Sequence, residues 1–115
     1  RVYAIELDSD SIANAEENIQ RNHVAHAVHV FEGDAASLLP LVAPVRLVLA
    51  NIISSVLVEL MPLIASALTE DGQAILSGIL REEREMMVKM LTDNGWVITA
   101  EDAEDIWWSA AIKPK

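Results

Sequence analysis

Apolar residues fall along the chain in short runs that alternate with stripes of helical period. Val2-Tyr3-Ala4-Ile5 is apolar and partly β-branched and stops at Glu6-Leu7-Asp8, the pattern of a buried strand that delivers acids at its C-terminal end. Ser9-Asp10-Ser11 then offers N-cap residues. Ile12, Ala15 and Ile19 recur at helical spacing while Glu16, Glu17, Gln20 and Arg21 take the other face, which predicts a helix ending near Asn22. Residues 27–31 read as a second strand closing on Gly33-Asp34, and residues 45–50 as a third closing on Asn51. Between them, residues 35–39 predict a short helix that Pro40 ends.

Beyond Asn51, the residues Val56, Leu57, Leu60, Leu63, Ile64 and Leu68 make a broad apolar stripe, predicting a helix that Pro62 kinks or restarts. Thr69-Glu70-Asp71-Gly72 has the composition of a turn. A fourth strand is predicted over 73–77, then a charged helix over 81–92 with Met86, Met87 and Met90 packing on one face and Asn94-Gly95 as its stop. The last two strands, 96–100 and 106–112, flank Glu101-Asp102-Ala103-Glu104-Asp105, read as a solvated loop. Trp107 and Trp108 alternate across the final strand, so at least one of them faces the core.

Strands alternating with helices predict one α/β unit whose mainly parallel sheet is covered on both faces, because parallel neighbours need crossover connections. The final pair leaves no room for a helix and is expected to be antiparallel.

At 52% hydrophobic and 23% charged residues in 115, the chain can bury the core of one domain and lacks the profile of a disordered tail. Its 8 basic and 18 acidic side chains give a net charge of −10, which argues against direct binding of nucleic acid, since that needs clustered Lys and Arg. The chain contains no cysteine, so thiolate nucleophiles, thiolate metal sites and disulfides drop out. Neither a membrane-length apolar run nor a secretory signal is present, and a soluble, cytoplasmic protein is expected. Arg1 replaces an initiator Met and the chain enters a strand at once, as a fragment does.

In open α/β sheets ligands lie beyond the carboxyl ends of the strands, which singles out Glu6, Asp34, Asn51 and Ser77. Glu6 can accept hydrogen bonds from both hydroxyls of a ribose, or be a solvated acid at a strand end. Asp34 can accept from an adenine amino group, or Gly33-Asp34 can be turn chemistry. Asn51 can hold an amine nucleophile through its side-chain oxygen, or cap the following helix. The regular spacing of His23, His26 and His29 invites a metal reading, but side chains three apart on a strand point to opposite faces, and no metal site is assigned. A Gly-x-Ser-x-Gly elbow, a Walker loop and a Gly-x-Gly turn are all missing, so a nucleotide site built from these residues is incomplete.

Together these strand ends resemble the class I S-adenosylmethionine-dependent methyltransferases, entered at their second strand. The likeness is strongest to the ribosomal protein L11 methyltransferase (PrmA) family. Glu6-Leu7-Asp8, then Ala13-Asn14-Ala15-Glu16-Glu17-Asn18 with Arg21-Asn22, matches the acid-x-Asp motif and the helix after it. Leu49-Ala50-Asn51-Ile52-Ile53 and Ser77-Gly78-Ile79-Leu80 match the ends of the family's fourth and fifth strands, and these are the specific motifs. Departures are Glu6 for the more usual Asp, Ser9 for a Pro, and Val45-Arg46 where the family tends to place an Asp.

The resemblance implies a Rossmann-like class I methyltransferase sheet, mostly parallel with an antiparallel C-terminal hairpin, of which residues 1–115 are the part from the second strand onward. It further implies that a first strand with a Gly-rich loop lies between those ending at Glu6 and Asn51 and is lacking here. The activity it implies is methyl transfer from S-adenosylmethionine to lysine or N-terminal amines of ribosomal protein L11. Asn51 would hold the amine and meet the cofactor, Glu6 the ribose and Asp34 the adenine end. Rival readings are a class I methyltransferase with an RNA or small-molecule acceptor, a phosphoacceptor domain, which would want an Asp at Asn51 and a Lys near Ser77, and a non-catalytic α/β interaction module.

Overall fold

The computed structural model describes residues 1–115, which divide into two compact units, Arg1–Val42 and Ala43–Lys115. In the first unit, strands β1 (Val2–Glu6) and β2 (Val28–Glu32) pair in parallel, Val2 opposite Val28 and Glu6 opposite Glu32. Helix α1 (Ser9–Arg21) makes the crossover between them, with Ile12, Ala15 and Ile19 half-buried as their spacing predicts. Its N-cap is Asp8, one residue before the expected Ser9-Asp10-Ser11 group: Oδ1 of Asp8 accepts the Asp10 amide at 2.9 Å. The acid serves because it has extended backbone geometry at the strand exit, which frees its side chain to reach forward.

Helix α2 (Ala35–Val42) closes this unit and runs through Pro40 instead of ending there. Proline's fixed φ is helical, and so near the end of a short helix its missing N–H forfeits a single bond.

The second unit holds a four-stranded sheet in the order β3, β4, β6, β5, formed by β3 (Val45–Asn51), β4 (Leu68–Leu80), β5 (Trp96–Glu104) and β6 (Trp107–Pro114). β3 and β4 are parallel, and β6 runs antiparallel to both β4 and β5, so the C-terminal hairpin is as expected. β1 and β3 belong to different sheets.

Two sequence expectations change here. The turn at residues 69–72 is absorbed into β4 as an irregularity: Val45 faces Leu68 but Leu47 faces Gln73. Thr69 Oγ1 donates to Asp71 Oδ1 within that bulge, so turn chemistry persists inside a strand. The acidic run is not a loop either. Residues 101–104 lie in β5 opposite Ala110, Ser109, Trp108 and Trp107, and the connection shrinks to Asp105 and Ile106, with Asp105 at φ 57°.

Helix α3 (Ser54–Ala67) links β3 to β4, running on through Pro62, and a 3-10 turn (Arg81–Glu83) leads into α4 (Arg84–Asp93). Leu57, Leu60, Met61, Ile64 and Ala67 of α3 and Met87 and Leu91 of α4 are buried, at the i, i+3 and i+4 spacing of one face. Each large side chain so buried contributes roughly 1.5–3 kcal/mol relative to exposure. Met86 lies off this face and is exposed, so the methionines do not pack as a group.

Ala74, Leu76, Ala110 and Ile112 form the buried face of the sheet, whereas Leu47, Leu49 and Ile75 on the alternate face are 48%, 71% and 40% exposed. Cover on both faces was expected; here one face is covered. Trp108 is buried and Trp107 exposed, as the alternation predicts.

Arg84 ties α4 to the hairpin. Its guanidinium donates to both carboxylate oxygens of Glu101, at 2.7 and 3.0 Å, and Trp108 Nε1 donates to Oε1 at 2.9 Å. These bonds, Arg84 foremost and Trp108 next, lower the Glu101 pKa from 4.5 to about 2. The folded carboxyl holds its proton less tightly than the unfolded one, so this contribution is complete above the unfolded value of 4.5 and is lost as pH falls through about 2. Thermal melts from about pH 6 down to about pH 3 are expected to lose less midpoint in Glu101→Gln than in the parent. Identical acid slopes would refute the linkage.

Candidate functional site

Glu6 and Asn51 end the parallel strands β1 and β3 and Asp34 lies just past β2, whereas Ser77, expected to end the fourth strand, lies within β4, which runs on to Leu80. In the first unit, Glu6 ends β1 and Asp34 follows β2. The Gly33 amide donates to the Glu6 carbonyl at 2.9 Å, so the two exits run side by side. Glu6 is half-buried, and its Oε1 accepts the Asp8 amide at 3.1 Å. A carboxylate has about four acceptor positions. One such bond fixes its orientation and leaves room for the two hydroxyls of a ribose, so the group fits a vicinal diol.

Asp34 is the N-terminal anchor of α2. Its Oδ1 accepts the Ala36 amide at 3.0 Å, and its carbonyl accepts the Ser37 and Leu38 amides. The turn reading of this residue therefore holds locally. Its side chain is exposed and retains acceptor positions for an amino group.

The second unit presents Asn51 at the end of β3, opposite Ser77 of β4. The capping alternative for Asn51 does not hold: α3 is capped by Ile53, without any side-chain bond. Its side chain lies instead against Gly78. A Cβ built on Gly78 would stand 2.6 Å from Asn51 Oδ1 and 3.1 and 3.2 Å from the Ile52 carbonyl oxygen and amide nitrogen. Gly78 also has φ +77°, a conformation that L side chains rarely adopt. Two independent constraints thus demand glycine where β4 passes the Asn51 side chain.

Asn51, Ser77 and Gly78 form one wall of a cleft of about 390 Å³, and Asp102, Glu104, Trp107, Trp108 and Ser109 form the other. Local sequence does not reveal the hairpin's share. Acids and tryptophans face one another only through the register that sets Ala103 against Trp108 and Glu104 against Trp107. The signal available was two adjacent tryptophans beside an acidic run. The cleft can take a cationic or hydrogen-bonding group, with an amide oxygen and carboxylates as acceptors and an aromatic surface for an apolar stem.

The family model described as ribosomal protein L11 methyltransferase (PrmA) matches residues 1–115. The chain belongs to that family. Among relatives of this PrmA family member, the ribosomal protein L11 methyltransferase of Enterococcus faecalis is 31% identical over 112 residues, 97% of this chain and 35% of that protein. That of Desulfitobacterium hafniense is 35% identical over 108 residues, 94% of this chain and 34% of that protein. The chain therefore spans about a third of the length of these relatives.

Among solved structures, the ribosomal protein L11 methylase of Lactobacillus delbrueckii subsp. bulgaricus superposes with a TM-score of 0.88 at 28% identity, covering 98% of this chain and 57% of that one. A precorrin-8w decarboxylase from Methanobacterium thermoautotrophicum shares the fold at a TM-score of 0.79 and 23% identity, covering 100% of this chain and 70% of that one. The α/β architecture of this PrmA family member is that of the Rossmann-like methyltransferases.

Proposed function

We propose that the protein to which this chain belongs is an S-adenosylmethionine-dependent methyltransferase acting on amines of ribosomal protein L11, with residues 1–115 forming part of its catalytic domain. What carries the reading is Asn51, set at a strand end against Gly78 and free of helix capping, in a chain matched over its whole length by the family. S-Adenosylmethionine, when bound, supplies a methyl group already activated on a sulfonium.

The chain's own residues bind and orient. Glu6 accepts the ribose hydroxyls and Asp34 the adenine amino group. Asn51 Oδ1 accepts an N–H of the acceptor amine and so fixes the direction of its lone pair. Alignment of this kind is a proximity effect and can supply several kcal/mol of barrier lowering. A protonated amine has no lone pair to give, so it must release a proton to solvent water before transfer. Asp102 and Glu104, lining the same cleft as Asn51, attract the cationic form to that point.

A basic acceptor protein complements the net charge of −10, whereas RNA does not. None of the helices is long and apolar enough to cross a membrane, and a ribosomal protein substrate favours work in the cytoplasm.

The cofactor half of the reading is tested by calorimetric titration of S-adenosylhomocysteine into the full-length protein. Glu6→Ala is expected to weaken binding by about 10-fold or more, the effect of losing hydrogen bonds to a charged acceptor. Unchanged affinity would remove Glu6 from the site.

A further inference from the structure

Ser54 is the one buried polar residue in the core, 7% exposed, and it opens α3 three positions after Asn51. Its hydroxyl donates to Oε2 of Glu83 at 2.5 Å. The other oxygen, Oε1, accepts the Leu80 amide at 3.1 Å. A single carboxylate in the 3-10 turn after β4 thus grips the start of α3 with one oxygen and the end of β4 with the other.

Each anchor point is immediately preceded by one of the two segments that reach the cleft, which Asn51, Ser77 and Gly78 line: Asn51-Ile52-Ile53 before Ser54 and Ser77-Gly78-Ile79 before Leu80. They touch where Gly78 passes Asn51 Oδ1 and the Ile52 backbone. Neither segment is held there by a side-chain bond of its own: the α3 cap, Ile53, offers none, and Asn51 makes no hydrogen bond that would fix its carboxamide. The ion pairs Arg21–Glu17, Arg46–Asp71 and Lys89–Asp93 all lie on exposed side chains remote in sequence from these segments or outside the cleft.

We propose that Glu83 is a positioning residue for Asn51, a clamp that sets the separation of the β3 and β4 exits and thereby the direction of the Asn51 carboxamide. This rests on the reading of Asn51 as the residue that holds the acceptor amine. The chemistry asks for two acceptor functions on one planar group. Gln retains one: its oxygen can take the Leu80 amide while its NH2 group donates to the Ser54 hydroxyl, which turns to accept. Ala retains neither, and leaves a buried hydroxyl and a backbone N–H without partners.

The test uses the full-length protein with S-adenosylmethionine and ribosomal protein L11, measuring kcat, KM and, by calorimetry, the Kd of S-adenosylhomocysteine. Glu83→Ala is expected to lower kcat about 10-fold, with KM for L11 and the Kd within about 3-fold, and Glu83→Gln to restore most of it. In an Asn51→Ala background, Glu83→Ala is expected to cost nothing further in kcat, because it acts through the side chain already removed.

A Glu83→Ala protein that melts lower but keeps its kcat below the melt, or whose loss is undiminished in the Asn51→Ala background, overturns the proposal. If Glu83→Ala does not fold, Ser54→Ala carries the test, since it removes one hydroxyl and leaves the Leu80 bond. It is then expected to lower kcat about 3-fold, and an unchanged kcat overturns the clamp. An Asn51→Ala protein with full kcat refutes the reading of the site itself, a result distinct from failure of the clamp.

Discussion

Asn51→Ala in the full-length protein is expected to lower kcat for L11 methylation by about 100-fold while the Kd of S-adenosylhomocysteine stays within about 2-fold. The split follows from where the side chain sits. Asn51 ends β3, opposite Ser77 and beside the acidic and aromatic wall of the cleft, and it caps no helix, so removing it should leave α3 intact. Under the proposed role, the substitution removes the acceptor that orients the amine, and misplacement of a nucleophile by about 1 Å can by itself cost about 100-fold. Equal losses in kcat and cofactor affinity would mean that Asn51 serves cofactor binding instead. The mutation is mild for stability, since Asn51 is exposed and does not belong to the core.

Gly78→Ala is expected to act on stability and turnover together. Its φ of +77° strains any L side chain, and the new Cβ would stand 2.6 Å from Asn51 Oδ1 and 3.1 Å from the Ile52 carbonyl. The strain costs about 1–3 kcal/mol. The 2.6 Å clash pushes the Asn51 carboxamide aside and the Ile52 backbone must also give by a few tenths of an ångström, a displacement expected to reduce kcat by about 10-fold or more.

Gly95 supplies the control. It has φ +83° just past α4, and a Cβ there meets nothing within 4 Å. Gly95→Ala therefore pays the conformational strain alone, and is expected to lower the thermal midpoint while leaving kcat unchanged. If Gly78→Ala behaved the same way, the contact with Asn51 would have no bearing on turnover.

The strand ends were legible from sequence because short apolar runs stop at polar residues, and Glu6, Asp34 and Asn51 all lie where those runs predicted. The α3 core face was legible for the same reason: Leu57, Leu60 and Ile64 recur at helical period and are buried. What local pattern could not reveal was register. Thr69-Glu70-Asp71-Gly72 has turn composition and forms a bulge, because β4 resumes pairing with β3 at Gln73. The acids Glu101, Asp102 and Glu104 look solvated, yet they pair with β6, and Glu101 is held by Arg84 of α4, seventeen residues away. Asp102, Glu104 and Trp107 enter the cleft through that pairing, which no spacing within either strand announces. Gly78 was visible as part of a motif, but its reason, the passage of the Asn51 side chain, exists only once β3 and β4 lie side by side.

One measurement bears most directly on the central claim: intact mass and peptide mapping of ribosomal protein L11 after incubation with the full-length protein and S-adenosylmethionine. The account predicts methyl additions on lysine or N-terminal amines, abolished or strongly slowed by Asn51→Ala. Unmodified L11, in the presence of a protein that binds S-adenosylhomocysteine through Glu6, would contradict the assignment of the acceptor and leave only the cofactor site standing.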